Sequence, residues 1–371
     1  MKRARYIMVG GFLGAGKTTT IGKFAQWLTD RGLKVGLITN DQGSGLVDSA
    51  LGRSGRFAVE EISGGCFCCR FDSLTQAAEN LTRETRPDVF LAEPVGSCTD
   101  LVATVSFPLQ KIYGQHYQVA PLSVLLDPIR ALRIFELLPG KSFSRNVRYI
   151  YLKQLEEAEY IVINKVDTVT EDQLALLRTH LEKEYPQARV FEQSAREETN
   201  LEPWFNAAYE GEMTALHGLE IDYQRYGEGE ALLGWLNCTV EVEGEDNFDG
   251  NALLAELAGH LGQAIGAAGG EVAHLKMTLT PLGDPFEIGA VNLTRDDTQP
   301  ESSHHLLDPL DSGELLINMR VEIAPEIMEK TVQQALQDLL VEKHGLAFRI
   351  THAEHFRPGM PSPTHRMTAP A

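Results

Sequence analysis

The sequence predicts an α/β fold with a mostly parallel sheet flanked by helices, followed by a smaller C-terminal α+β domain. Three observations carry this prediction. A glycine-rich loop, GGFLGAGKTTT from Gly10 to Thr20, joins an apolar run to a helical pattern. Short apolar runs then recur through the first half of the chain and end in polar loops, as the buried strands of a parallel sheet do. Finally, an alternating strand pattern restarts at Trp235 after a polar, Gly-bearing stretch from His217 to Gly229.

The first run, Tyr6 to Val9, reads as a strand and Ile21 to Leu28 as a helix. Between them Gly11, Gly16, Lys17 and Thr18 satisfy GxxxxGK[ST], a P-loop in its proper strand–loop–helix context. Glycines let the backbone curl so that successive N–H groups converge on a phosphate chain, and the following helix presents its positive end to it. Lys17 is suited to reach the β- and γ-phosphates and Thr18 to hold Mg²⁺. The nucleotide-binding candidates here are Gly11, Gly14, Ala15, Gly16, Lys17, Thr18 and Thr19, and the first domain reads as a P-loop NTPase.

Lys34 to Thr39 is the next strand, and NDQGSGLVDSAL follows it. Asp41 stands where a carboxylate approaches Mg²⁺, though an Asp there serves equally well as a helix cap or turn former. FAVEEI, from Phe57 to Ile62, leads into SGGCFCCR. Cys66, Cys68 and Cys69 offer soft ligands for Zn²⁺, Co²⁺, Ni²⁺ or Cu⁺, and their sulfurs converge only if the backbone bends sharply, which Gly64 and Gly65 permit. After a helix from Leu74 to Arg86, the strand Asp88 to Val95 carries Glu93 at its end. A carboxylate there binds Mg²⁺ through water or polarises an attacking water, so the catalytic candidates are Lys17, Glu93 and Asp41. Gly96 leaves room for a γ-phosphate to be sensed by the backbone. Cys98 supplies either an extra thiol or, more commonly for a single cysteine, packing.

Val119 to Leu126 is a further strand, Ser144 to Ala158 a helix, and YIVINKVD a strand ending in Asn164, Lys165 and Asp167. Guanine presents N1–H and its 2-amino group as neighbouring donors that one carboxylate accepts together, whereas adenine has no such pair. NKxD at a strand end downstream of a P-loop therefore points to GTP. Ser194 and Ala195, after the strand-like ARVFEQ, have the small side chains suited to backing the guanine.

At 371 residues the chain is long enough for two to three domains. Its 33 Lys and Arg against 52 Asp and Glu give a net charge of −19, which disfavours nucleic acid or an anionic membrane as partner. The opening MKRARYIMVGGFLGAG looks like a signal peptide only superficially, since its apolar part is the P-loop strand. No run of about 18 apolar residues suggests a membrane span. Five cysteines, three of them crowded together, suit thiolate chemistry in a reducing, cytoplasmic setting rather than a disulfide framework.

GGFLGAGKTT, GGCFCC, the strand-end EPVG and NKVD, in this order, resemble the CobW-like members of the family that also includes the HypB and UreG metallochaperone GTPases. The resemblance runs from Arg5 to about Tyr209. It implies a GTPase that handles Zn²⁺, Co²⁺ or Ni²⁺ for a client protein, with low intrinsic turnover and a homodimer, and with the cysteine motif lying between two nucleotide switches. It assigns phosphate to Gly14, Gly16, Lys17 and Thr18, metal to Cys66, Cys68 and Cys69, and guanine to Asn164, Lys165 and Asp167. Two departures stand out. NDQGS replaces the usual NEFGE, so that Asp41 stands for one Glu and Ser44 for the other, and EPVG replaces the usual Glu, Ser or Thr pair and Gly. The chain also lacks the extra signature Lys of dimerising MinD- and ParA-type ATPases.

The organisation expected is a GTPase domain over 1–212, a linker over 213–230, an α+β domain over 231–356 and a Pro-rich tail over 357–371, extended or disordered. Within the α+β domain the order of strands and helices suggests a split βαβ, ferredoxin-like sheet with helices on one face. His304 and His305 fall in a polar loop there, and His352, His355 and His365 read as surface histidines. Besides a GTP-hydrolysing metallochaperone, two alternatives suit the motifs. One is a small-molecule kinase or ligase with the C-terminal domain as acceptor site, and the other is a non-catalytic metal sensor or scaffold.

Overall fold

A computed structural model describes residues 3–40, 57–62, 64–215, 217–284 and 287–369. The described residues fall into two compact units, one from within Met1–Gln42, Gly55–Gly229 and Met360–Ala371, the other from within Glu230–Gly359. Among the described residues, no helix is long and apolar enough to cross a membrane.

The first unit is built on a parallel sheet. Its strands are β1 (Ala4–Gly11), β2 (Val35–Asn40), β3 (Ala58–Ile62), β4 (Val89–Glu93), β5 (Tyr117–Val119), β6 (Ser123–Leu126), β7 (Tyr160–Ile163) and β8 (Arg189–Glu192). The spatial order is β3-β2-β4-β1-β6-β7-β8, with β5 also paired to β1. The run expected as one strand from Val119 to Leu126 is thus two, because Ala120 to Leu122 leave the ladder between them. Helices α1 (Lys17–Thr29), α2 (Phe71–Glu84), α3 (Phe107–Tyr113), α4 (Pro128–Ile134), α5 (Arg145–Glu156), α6 (Glu171–Glu184) and α7 (Leu201–Glu210) complete the layers. Strands such as β1, β4 and β6 are buried along almost their whole length, which is why they read as continuous apolar runs rather than alternations. On one face α1 and α7 meet through Phe24, stacked on Phe205 with ring centroids 4.4 Å apart and wedged by buried Trp204.

The sequence expects a linker over 213–230; in the structure this stretch enters helix α8 (Tyr223–Leu232), and β9 (Leu233–Phe248) follows at once. With α9 (Gly250–Ala267), β10 (Glu271–Pro281), β11 (Gly289–Leu293), β12 (Glu301–His304), β13 (Leu310–Glu322), α10 (Pro325–Leu336) and β14 (Ala347–Phe356), it forms the second unit. The sheet is antiparallel throughout, in the order β12-β11-β10-β13-β9-β14. Taken without β11 and β12, that is the ferredoxin-like βαββαβ arrangement, in which the third strand lies between the first and second and the fourth flanks the first. The stretch bearing His304, expected as loop, instead closes the sheet's edge as β12 against β11. Leu253, Leu257, Leu261 and Ile265 of α9 recur at helical spacing and, with Met328, Val332 and Leu336 of α10, form one core with the sheet.

In the first unit, the end of α5 governs the segment after β4. Gln154 donates from Nε2 to the carbonyls of Gly96 (2.9 Å) and Cys98 (2.8 Å). One turn on, the Glu157 carboxyl accepts from Thr99 Oγ1 (3.0 Å) and the Val102 amide (3.1 Å), where a π-helical turn, Val102–Ser106, begins. Burial pushes the Glu157 carboxyl up to about 8, with Asp100 nearby adding to the rise. The folded chain therefore holds a proton at Glu157 that the unfolded chain releases near its ordinary value of about 4.3. Stability falls as pH rises through that interval, and the full cost is present above the folded value. Gln, which mimics the neutral acid, should flatten this slope. Urea unfolding at about pH 5 and about pH 9 should show wild type losing more stability than Glu157→Gln between the two; equal losses would dispose of this account.

Candidate functional site

All strands of the first sheet run in one direction, so the loops after β1, β3, β4, β6, β7 and β8 share its carboxyl edge, where open α/β sheets bind ligands. Each stretch singled out in the first half of the sequence leaves a strand at that edge.

The P-loop curls between β1 and α1. Gly16 sits at φ 88°, and a Cβ there would lie 2.4 Å from Asn164 Nδ2, so only glycine fits. No side-chain cap occupies the N-terminus of α1, which leaves its first-turn amides facing the loop, as an anion site requires. Lys17 is buried at 7% exposure, and its Nζ reaches the Phe12 carbonyl at 3.5 Å across the loop. Thr18 Oγ1 donates to Glu93 Oε1 at 3.0 Å, pairing a hydroxyl and a carboxylate oxygen of the kind that Mg²⁺ prefers. The third catalytic candidate, Asp41, lies outside the described residues, as does Ser44.

The NKVD turn braces this loop. Asn164 donates from Nδ2 to Ala15 O (2.9 Å) and accepts the Ala195 amide at Oδ1 (3.1 Å). Lys165, at φ 57°, sends Nζ to Gly14 O (2.7 Å) and to Asp127 Oδ2 (3.1 Å). Buried Asp127 caps α4 with its other oxygen, which accepts the Arg130 amide at 3.0 Å. Asp167 is exposed in the short turn Val166–Thr168. Ser194 and Ala195 are buried beside Asn164, with Ser194 in a backbone bridge to Thr199. Asn164 and Lys165 thus act on the P-loop backbone, and the carboxylate of Asp167 faces outward.

The three cysteines converge. A turn closed by the Cys69 and Arg70 amides on Cys66 O (3.0 and 2.9 Å) follows the bend at Gly64, whose φ is 73°. The sulfur separations are 2.9 Å for Cys66–Cys68, 3.2 Å for Cys66–Cys69 and 3.7 Å for Cys68–Cys69, all longer than the roughly 2.05 Å of a disulfide. Hydrogen bonds from Cys68 and Cys69 hold the Cys66 thiol well below its ordinary range, and those same bonds with burial push Cys68 up and Cys69 up to about 11. Cys66 and Cys68 are buried while Cys69 is half-buried. Among the described residues, these three are the one group of close-set ligand atoms suited to a metal ion.

Two supports of this turn were not legible in the sequence. Asn40, the last residue of β2, donates from Nδ2 to Ile62 O (2.9 Å) and Gly65 O (2.7 Å) and accepts the Phe67 amide (2.9 Å), pinning both ends of the bend. The Pro-rich segment after Met360 is extended, as its prolines require, and lies along the cysteine turn. Thr364 N donates to Cys68 O (2.8 Å) and Ser362 N to Cys69 Sγ (3.3 Å), Arg366 Nε pairs with buried Asp100 Oδ2 at 2.7 Å, and the His365 ring meets Phe71 edge-on.

Comparisons with known proteins agree with this geometry. Zinc chaperone YeiR of Escherichia coli K12 is 33% identical over 175 residues, 46% of this chain and 49% of that protein. Zinc-regulated GTPase metalloprotein activator 1 of Dictyostelium discoideum is 26% identical over 212 residues, 49% of this chain and 44% of its own length. The chain thus spans about half the length of these curated relatives. The crystal structure of Zn(II)-bound YjiA GTPase from E. coli aligns with 91% of this chain and 99% of its own at 15% identity and a TM-score of 0.35, a likeness too distant to argue from. The model of the CobW/HypB/UreG nucleotide-binding domain matches residues 5–192, and the chain belongs to that family.

Proposed function

We propose that the protein is a GTP-hydrolysing metallochaperone that binds a transition metal through Cys66, Cys68 and Cys69 and passes it to a client protein. The observation that carries this reading is the convergence of three sulfurs within 3.7 Å of one another on the sheet edge that also bears the P-loop and the NKVD turn. Zinc is the favoured cargo over cobalt and nickel, because zinc appears in the names of both curated relatives. The client is a metal-dependent protein met in the cytoplasm, and the acidic surface argues against nucleic acid or membrane as that partner.

In this reading Lys17 and the amides of Gly11, Gly14, Ala15, Gly16, Thr18 and Thr19 hold the phosphates. Thr18 and Glu93 would hold Mg²⁺, whose contribution when bound is to neutralise charge between the β- and γ-phosphates. Asp167 takes guanine N1–H and the 2-amino group, Asn164 and Lys165 fix the turn that presents it, and Ser194 and Ala195 back the base. Glu93 or Asp41 organises the attacking water. The cysteine turn follows β3 and the segment after Glu93 follows β4, so hydrolysis at the P-loop has short structural routes to the metal. Functioning as a homodimer belongs to the same proposal.

Lys17→Ala should reduce GTP turnover on the order of 100-fold or more while circular dichroism and the unfolding midpoint stay close to wild type; undiminished turnover would refute the catalytic assignment. Asp167→Ala should weaken GTP binding by about tenfold or more, the worth of a charge-assisted hydrogen bond, and erase any preference for GTP over ITP, which lacks the 2-amino group. A retained preference would place base recognition elsewhere. For the metal cycle, Zn²⁺ affinity of anaerobically purified protein should differ by about tenfold between a Mg–GTP analogue and GDP, a coupling of roughly 1.4 kcal/mol. That difference should vanish in the Cys66, Cys68, Cys69 triple Ala variant. Equal affinities in both nucleotide states would separate the cysteines from the GTPase and favour the kinase or scaffold readings.

A further inference from the structure

We propose that the segment 361–368 is a strap that gates the cysteine turn: latched, it covers Cys69, and it lifts when a metal ion enters or leaves. Its purpose rests on the metallochaperone reading, while its geometry is that of the metal-free chain. The strap belongs to the first compact unit, and backbone bonds fasten it at three places. Thr364 N donates to Cys68 O at 2.8 Å, Met367 N to Ala103 O at 2.8 Å, and Gly218 N to Thr368 O at 3.0 Å. Two further bonds seal the metal turn itself, from Ser362 N to Cys69 Sγ (3.3 Å) and from Thr364 Oγ1 to Cys69 O (3.3 Å). Cys66 and Cys68 are buried and Cys69 is half-buried, so the strap lies on the most accessible of the three sulfurs.

An ion pair holds the strap shut. Asp100 is wholly buried, at 0% exposure, and its carboxylate accepts from Arg366 Nε (2.7 Å) and Tyr223 Oη (2.6 Å). Arg366 also donates to Leu219 O at 2.6 Å. A buried carboxylate stripped of its cation is costly, so the strap's arginine favours the closed state. Against this, no residue over 361–369 is itself buried, and half-buried residues alternate with exposed ones through most of that stretch, the period of an extended chain laid along a surface. With little apolar area to lose, opening breaks a handful of hydrogen bonds and one ion pair. That places the strap among the segments that open locally while the core stays folded. The bed of the strap is also tied to the nucleotide loop. Asp100 and Ala103 follow β4 on the stretch that begins at Glu93, the acceptor of Thr18 Oγ1, and passes Gly96, where a Cβ would stand 2.9 Å from the Leu13 amide. The latch and the Ala103 fastening thus share a segment with the P-loop contacts, and a shift there bears on both.

The test starts from metal-free, full-length protein. Thr364→Pro removes the amide that reaches Cys68 O and Arg366→Ala removes the latch, and neither changes the cysteine turn itself. In the double variant, alkylation of Cys69 by N-ethylmaleimide, followed by mass spectrometry, should run at least about tenfold faster than in wild type. Excess peptide of residues 361–370 should slow it again, and Cys238, buried in the second unit, should keep its wild-type rate. With Zn²⁺, uptake and release to a chromophoric chelator should both quicken by about tenfold or more while affinity stays within about threefold, since a gate alters the rate of passage and not the end states. An unchanged Cys69 rate, or faster labelling that the peptide fails to reverse, would overturn the inference. So would an acceleration shared equally by Cys238, which reports general loss of structure. Hydrogen exchange on wild type needs no variant: the Thr364 and Met367 amides should be protected yet exchange faster than those of β1, and amides without protection there would also sink the strap. The two levels separate cleanly. If Cys69 labelling follows the strap but the protein takes up no Zn²⁺, the strap stands as a cover over the cysteines and the metallochaperone reading falls. If Zn²⁺ binds through the three cysteines and labelling ignores the strap, the strap alone is ruled out.

Discussion

The contact on which the site depends is the close approach of the backbone at Gly96 to the backbone at Leu13. With a Cβ at 96 standing only 2.9 Å from the Leu13 amide, the segment after β4 lies flush on the P-loop, and neither can shift without the other. The direction in which a side chain would leave Gly96 is filled by Leu13, so glycine is required there. A buried clamp then fixes the far side, where Gln154 and Glu157 of the α5 end hold the carbonyls of Gly96 and Cys98 and the amide of Val102. Low dielectric surroundings make such buried hydrogen bonds strong when satisfied and costly when broken. The elevated Glu157 carboxyl is the cost of placing an acid there.

A second constraint is the mutual influence of three close-set thiols. The side-chain contacts with Cys68 and Cys69 draw the Cys66 thiol down while they push those two up. Two thiolates brought this close without a cation would repel, and the second and third protons stay bound as a consequence, which is the direction seen at Cys68 and Cys69. A divalent ion reverses this balance, since its charge stabilises every sulfur at once. The turn is thus shaped before metal arrives, with Asn40 and the Ser362–Thr364 segment supplying the hydrogen bonds that keep it so.

Much of this was legible because it is local. The P-loop and the cysteine turn are set by consecutive residues whose backbone requirements are written in their glycines, and the strands announce themselves as apolar runs because both sheet faces are covered. The ferredoxin-like order of the second unit survived the insertion of β11 and β12 because the helices and outer strands kept their periodicity. What escaped notice acts across the chain. Asn40 reaches the cysteine turn from β2, Asp127 steadies Lys165, and Gln154 steadies Cys98 from α5. Asn, Asp and Gln at such positions have ordinary local uses as caps and turn formers, so nothing nearby in the sequence marks them. The Pro-rich segment reads as extended or disordered from its prolines, and its hydrogen bonds to the cysteine turn depend on tertiary contact alone.

A carrier of metal must satisfy two demands that oppose each other, holding its ion against water and surrendering it to a client. Burial of Cys66 and Cys68 at 4% and 1% exposure serves the first, since a desolvated thiolate binds a soft cation without competition from solvent. The half-exposed Cys69 serves the second, as the sulfur at which an incoming ligand can enter by exchange. The turn after β3 leaves the same sheet edge as the P-loop, so the cysteines stand close along the chain's architecture to the loop where a nucleotide would bind.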